Sequence, residues 1–303
     1  MSGSAPRLVF ANALALLLER EYSFPVISNY ELSLFIFRLL QAGEVDGREL
    51  RTRPRLATRS DLYAARDGLL RRGTFKVDRT LPGTVHRIVD RGRSDPESVL
   101  SAVDPFGFVS HLSAMAYHGL SNRLPKVVFF TTLAASVWRA AAQDKMHRDL
   151  GEQFSVYREQ GLPPLHHIRP ERVQARAVSY IRTSSPGGYR LAKEGTLRVA
   201  TLGRTFLDML RKPELCGGMS HVLEIYEAHG REHLALIVNE FEQRGSPIDR
   251  VRAGYILEEH CGVSGNQVDA WVADAQRGGS RKLDPQGEYA PRFSERWKLS
   301  INV

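Results

Sequence analysis

Cysteine is nearly absent: Cys216 and Cys261 are the only two in 303 residues. They lie far apart with none of the spacing of a zinc or redox pair, which excludes a disulfide framework or a thiol-based metal site as the organising principle. Long apolar runs are missing too, and no stretch approaches the ~20 apolar residues that a membrane span requires. The N-terminus lacks the layout of a secretory signal. Residues 14–18 are apolar, but Glu19, Arg20 and Glu21 follow at once with no small-residue cleavage pattern. A cytoplasmic protein without membrane partners is expected.

Catalytic signatures are equally scarce. There is no GxSxG elbow, and Gly187-Gly188 and Gly217-Gly218 fall outside any P-loop or GxGxxG frame. Ten histidines invite a metal search. His111 and His118 are seven apart without a third ligand, His166 and His167 are adjacent and point apart, and His221, His229 and His233 do not form HExxH. Glu258-Glu259 lacks the spaced acidic residues and lysine of a metal-dependent nuclease. No catalytic residue, metal or cofactor is expected, and nothing demands an enzyme.

What is present is positive charge in one place. Residues 1–47 hold 3 Lys/Arg against 5 Asp/Glu, residues 48–93 hold 13 against 5, and residues 94–303 hold 26 against 24. The middle segment therefore carries a net charge equal to the +8 of the whole chain. A local, arginine-dominated block suits a phosphate-facing surface, although a solvated charge run has the same composition.

The block coincides with residues 59–93, RSDLYAARDGLLRRGTFKVDRTLPGTVHRIVDRGR. Ser60 is a candidate N-cap, Leu62, Ala65, Leu69 and Leu70 recur at helical spacing, and Gly73 suits the position after the last turn. Two extended runs, 74–77 and 84–89, flank the turn Leu81-Pro82-Gly83. A helix followed by an arginine-rich hairpin is the layout of a winged helix-turn-helix. With Leu62 inward, Ser60, Ala64, Asp67, Gly68 and Arg71 face outward, and because two of these are very small the face can approach a major-groove floor while Arg71 reaches a base edge. Arg71 and Ser60 are the expected base-edge readers, with Asp67 available to a cytosine amino group. Arg55, Arg59, Arg72, Lys76, Arg79 and Arg87 are assigned to phosphates or the wing. A solvated amphipathic helix before a hairpin remains the alternative.

Elsewhere, apolar stripes predict helices over 7–21 and 28–43, the second capped by Ser28 or Asn29 and stopped at Gly43. The Arg-rich connection 42–59 is long for a compact helix-turn-helix. A polar Gly/Ser/Pro stretch near 91–96 marks a domain boundary. Beyond it, helices are expected at 96–102 and 110–119 and strands at 126–131, 154–157, 178–182 and 197–200. The chain then turns helical over 202–211, 219–228, 231–244, 247–260 and 266–274, before a strand near 296–302. The expected fold is mixed α/β (α+β): a winged helix-turn-helix domain at 1–93, then a larger α/β domain at 94–303 with a helical C-terminal half.

Residues 108–132, FVSHLSAMAYHGLSNRLPKVVFFTT, carry Ser113, Ala114, His118, Gly119 and Leu120 in a "Ser-Ala … His-Gly-Leu" pattern. Residues 199–224 carry Arg204, Thr205, Asp208, Pro213, Gly217 and Gly218 as "Arg-Thr-x-x-Asp … Pro … Gly-Gly". With 72–89 as an "arginine-Gly, then wing" region, the chain resembles the AbiEi-type antitoxins, bacterial type IV toxin–antitoxin regulators. Gly83-Thr84-Val85 stands where that family often has a compact Gly-x-Tyr wing end. The resemblance implies a repressor of its own promoter that neutralises a nucleotidyltransferase-type toxin without a stable complex, a phage-defence role, and double-stranded DNA as partner. A monomer is the expected state. The motif residues also read as fold determinants. Two other functions stay open: a regulator whose second domain senses a small molecule, and a DNA-processing nuclease.

Overall fold

The computed structural model describes residues 6–89, 91, 95–276 and 281–303. The expected boundary at 93/94 falls on residues outside that set. Three helices open the fold. α1 (Phe10–Glu21) buries Ala13, Leu14 and Leu18. A short strand, β1 (Val26–Ser28), runs straight into α2 (Asn29–Ala42). Ser28 is the cap: its hydroxyl accepts the Glu31 N–H at 3.3 Å and Glu31 answers the Ser28 amide. Gly43 ends α2 with φ +69°, and a Cβ there would meet Pro54 at 2.5 Å.

The long connection between α2 and the next helix is folded on itself. β2 (Glu44–Val45) and β3 (Arg48–Glu49) form a hairpin through Asp46-Gly47, both left-handed (φ 51° and 73°), as an Asp-Gly type I′ turn demands. Leu50 and Arg51 then bind back to Gly43 and Leu8 through backbone hydrogen bonds of 2.7 and 2.9 Å. α3 (Arg59–Arg71) follows, then β4 (Phe75–Lys76) and β5 (Val85–Ile88). The sheet order is β1-β5-β4, all antiparallel, with Lys76 opposite Arg87 and Val26 opposite Arg87 on the other edge.

The second part is built on a six-stranded mixed sheet. In chain order its elements are α4 (Pro96–Val103), β6 (Phe108–Val109), α5 (His111–Tyr117), β7 (Val127–Leu133), α6 (Ala135–Leu150), α7 (Phe154–Glu159), β8 (Arg172–Val173), β9 (Arg176–Thr183), β10 (Tyr189–Ala192) and β11 (Leu197–Ala200). The strand order is β10-β11-β6-β7-β9-β8, parallel at β11/β6 and β7/β9. Then come α8 (Leu202–Arg211), α9 (Met219–His229), α10 (Leu234–Arg244), α11 (Pro247–Tyr255), α12 (Asn266–Asp269) and a small pair, β12 (Phe293–Ser294) with β13 (Leu299–Ser300). No helix among the described residues is long and apolar enough to cross a membrane.

Two expectations need correction. Residues 154–157 are helical, not extended, because Tyr157 is drawn into the core against Tyr30 and Phe37, with centroids 6.3 and 5.4 Å away; packing overrides the strand propensity of Phe, Val and Tyr. The strand near 296–302 shrinks to Leu299–Ser300. Helix α6 was not foreseen.

The apolar core crosses position 93. One cluster joins Leu14, Ile36, Phe37 and Leu69 to Trp138, Met146 and Tyr157. Tyr30 donates to Asp149 at 2.8 Å, and Arg38 reaches the Asp149 carbonyl at 2.8 Å. Val26, Leu81 and Val85 belong to a second cluster with Val99, Phe108 and Phe130. Helices α8–α11 enclose a third with Trp271 and Trp297.

His86 on β5 pins the sheet to α2: its Nε2 lies 2.9 Å from Asn29 Oδ1, and its ring stacks on Phe75 at 5.5 Å. Burial, then the nearby Arg66 charge, pushes its pKa down from 6.5 to about 4. The folded state therefore favours neutral His86, a contribution complete above pH ~6.5 and lost as pH falls toward about 4. Between pH 7 and 4.5 the His86→Gln variant is expected to lose less stability, measured by urea denaturation, than wild type, the two losses differing by on the order of 2 kcal/mol. Identical pH slopes would show that His86 does not titrate between the two states.

Candidate nucleic-acid interface

Thr58, not Ser60, caps α3. Asp61 at the third helical position accepts from the Thr58 amide and hydroxyl, both at 2.8 Å, so the helix begins two residues before the sequence expectation. Ser60 sits exposed in the first turn with its hydroxyl 2.8 Å from Thr58 Oγ1. The buried face is Leu62, Ala65 and Leu69, as the periodicity requires. Ala64 and Arg71 are exposed, and Asp67 and Gly68 are half-buried. At the far end Gly73, at φ +73°, returns its N–H to Leu70 at 3.0 Å and turns the chain into β4.

The cations divide into two sets. Arg55 is bound into a bidentate pair with Asp61, one of its contacts 2.8 Å, alongside the Thr58 cap. Arg66 holds Asp67 at 2.8 Å, so the carboxylate expected to read cytosine is already partnered. Arg87 grips Asp78 at 2.5 Å, and Asp78 also accepts from the Thr80 amide and hydroxyl at 2.9 and 2.7 Å. Burial works against the charged Asp78, but these hydrogen bonds outweigh it and hold its pKa below the ordinary value. Arg55 and Arg87 thus brace the helix start and the hairpin turn.

The second set faces outward. Arg59 donates to the Tyr63 hydroxyl at 2.9 Å, and the guanidinium groups of Arg59 and Arg66 lie 5.7 and 5.1 Å from the Tyr63 ring centre. Arg71, Arg72, Lys76 and Arg79 are exposed, and among the described residues their side chains meet no hydrogen-bond or ion-pair partner. Val77 projects between Lys76 and Arg79 with 76% of its surface exposed.

Residues beyond 93 join this face, which a segment-by-segment reading of charge does not reveal. Arg79, Thr80 and Pro82 border a groove of about 670 Å³ whose far wall carries His167, Arg169 and Arg172. A second hollow of about 260 Å³ lies beside the start of α3, between Arg59 and Tyr63 on one side and Pro163, Pro164 and His166 on the other. The Gln174 amide donates to Thr80 Oγ1 at 3.2 Å and fastens the hairpin turn to that wall. Tyr63 was missed because it is neither basic nor one of the small residues of the helix face, and Arg169 because it lies outside the basic block.

The motif residues of 108–132 and 199–224 lie away from this face and are engaged in contacts within the fold. Ser113 accepts the Phe129 amide at 3.0 Å, His118 Nε2 lies 2.7 Å from the Ala200 carbonyl, and Arg204 and Asp208 pair at 2.7 Å while buried. Thr205 donates to Thr201 and the Gly218 amide to Pro213. Away from this face, His229, Glu232 and His233 bring metal-competent atoms together.

Arg55, then the Thr58 hydrogen bonds, lower the Asp61 pKa to about 2 against the opposing effect of burial. A depressed carboxylate stabilises the fold above its unfolded pKa of 3.8 and loses that contribution as pH falls through about 2. Asp61→Ala is expected to cost about 1 kcal/mol at pH 7, the usual scale for a lost cap. Urea denaturation at pH 7 and pH 3 should show the gap narrowing with acid; a gap that widens would contradict the assignment. Set against models of protein families and against curated proteins, the sequence matches none.

Proposed function

We propose that the chain binds double-stranded DNA as a winged helix-turn-helix regulator, with α3 in the major groove and the β4–β5 hairpin against the backbone. One observation carries this: the outward cations Arg59, Arg71, Arg72, Lys76 and Arg79 line a helix and the hairpin that follows it directly. The 13-residue α3 is about 20 Å long, enough to lie along a groove, and its outward Ala64 and Gly68 leave room for close approach. The order α1-β1-α2-β2-β3-α3-β4-β5, in which β1, β4 and β5 share one sheet and β2-β3 is an inserted hairpin, is compatible with the same docking.

The wider role proposed is that of an antitoxin: residues 1–93 repress the operon through its promoter, and residues 94–303 neutralise a nucleotidyltransferase-type toxin in the cytoplasm. It rests on the resemblance of 108–132 and 199–224. A specific observation favours one alternative, a regulator that senses a small molecule. A cavity of about 400 Å³ lined by His118, Arg190, Asn239, Glu240 and Arg244 lies in the second part. Glu240 is only 5% exposed there, and its Oε1 has no partner among the described residues.

In this docking Arg71 reads a base edge and Arg79 a phosphate. Arg71→Ala should lose roughly 1–3 kcal/mol on promoter DNA and little on random DNA; equal losses on both would remove it from readout. Arg79→Ala should weaken both alike and flatten the salt dependence by about one unit, and an unchanged slope would take it off the phosphate contacts. For the antitoxin role, co-expression with the adjacent open reading frame should restore growth that this neighbour arrests. A harmless neighbour would shift the assignment to the ligand-sensing regulator.

A further inference from the structure

We propose that His229, Glu232 and His233 form a binding site for one divalent transition-metal ion of the zinc class. The three side chains each offer one ligand atom, and these atoms all lie within 4.8 Å of one another. The backbone brings this about. His229 is the last residue of α9, and the His233 amide donates to the His229 carbonyl at 3.1 Å, so one helical turn separates the two histidines. Residues four apart share a face, and the rings stand near-parallel with centroids 6.3 Å apart. Glu232 comes from the same turn.

The intervening residues lock that turn. A Cβ on Gly230 would fall 2.5 Å from the Tyr226 carbonyl and 3.1 Å from Cys261 Sγ, so only glycine lets the chain pass this closely. Arg231 donates to the carbonyls of Cys261 and Gly262, both at 2.9 Å. The Phe206 and His233 rings meet steeply, at 62° with centroids 6.2 Å apart. Ligands on a turn fastened at three points need little ordering when an ion arrives.

The ring nitrogens of the two histidines are unoccupied, as are those of His147 and His166, but only His229 and His233 stand together with a carboxylate among the described residues. Polar partners stand at the rings of His86, His111, His118, His167, His221 and His260, at distances from 2.7 to 3.1 Å. Among the described residues no hydrogen bond reaches a ring nitrogen of His229 or His233. Two imidazoles and one carboxylate on one face suit a borderline ion with open positions, whereas Mg²⁺ and Ca²⁺ favour all-oxygen sets. Ligand bonds of about 2.0–2.1 Å need donor atoms roughly 3.3 Å apart, which small side-chain rotations supply. Cys261 is close but is not a ligand: burial, then Glu227, pushes its thiol up to about 11, and its Sγ–H is directed at the Tyr226 carbonyl 3.2 Å away. The order His-Gly-Arg-Glu-His reverses HExxH, which is why a search for that pattern passes it by.

The test uses the tag-free full chain, stripped with chelator and titrated with Zn²⁺ against a chromophoric competitor, with Co²⁺ spectra as a second readout. One ion per chain is expected. His229→Ala and His233→Ala should each weaken binding about a hundredfold or more, beyond the 10–100-fold typical of an outer-shell partner. The exposed Glu232→Gln should bind more weakly and shift the Co²⁺ spectrum, while His260→Ala should bind as wild type does. Thermal melts without metal check that each variant folds; if a histidine variant does not, Glu232→Gln decides. No stoichiometric uptake, or uptake indifferent to these substitutions, would overturn the site.

Discussion

The candidate interface depends on β5 being held along both edges. β1 pairs with one side and β4 with the other, so a single four-residue strand fixes two helices relative to the hairpin. β1 runs without a break into α2 through the Ser28 cap, and β4 follows α3 after Gly73. Backbone bonds from Asn29 to Thr84 and from Ile88 to Pro25 close the same unit. The outward face of α3 and the exposed side of the hairpin consequently present their charges as one surface. Loops alone would not keep Arg71 and Arg79 in a constant relation.

The charge count of the basic segment overstates what a ligand meets. Arg55, Arg66 and Arg87 are drawn into pairs with Asp61, Asp67 and Asp78. Those pairs are partly exposed and contribute modestly to stability, but they set the geometry of the helix start and the hairpin turn. The exposed cations without such pairs are fewer, and Arg169 and Arg172 join them from across the groove. Local order is therefore built from the same residue type as the proposed contacts, and only the partners distinguish the two uses.

Much of this was legible because it follows short-range rules. The Leu62, Ala65 and Leu69 stripe gave α3, the dense run at 126–131 gave β7, and Gly43 and Gly73 marked helix ends. What escaped depends on distant contacts or narrow patterns. Helix α6 buries only Trp138, Ala142, Met146 and Leu150, a one-residue-per-turn stripe in an alanine-rich segment. Tyr157 became helical through aromatic packing against α2. The Asp46-Gly47 hairpin signal was present but sat inside an arginine-rich connection. The pairing of Arg55 with Asp61, six residues away, could have been foreseen; that of the hairpin turn with Gln174 could not.

The account's central claim is sequence-specific binding of DNA by the α3 face. Its most direct test is the affinity of the full chain for its own promoter fragment and for a shuffled fragment of equal composition, at about 50 and 200 mM salt. The account predicts a preference for the promoter of about a thousandfold or more, with both affinities falling steeply as salt rises. Equal affinity for the two fragments, or binding indifferent to salt, would contradict it.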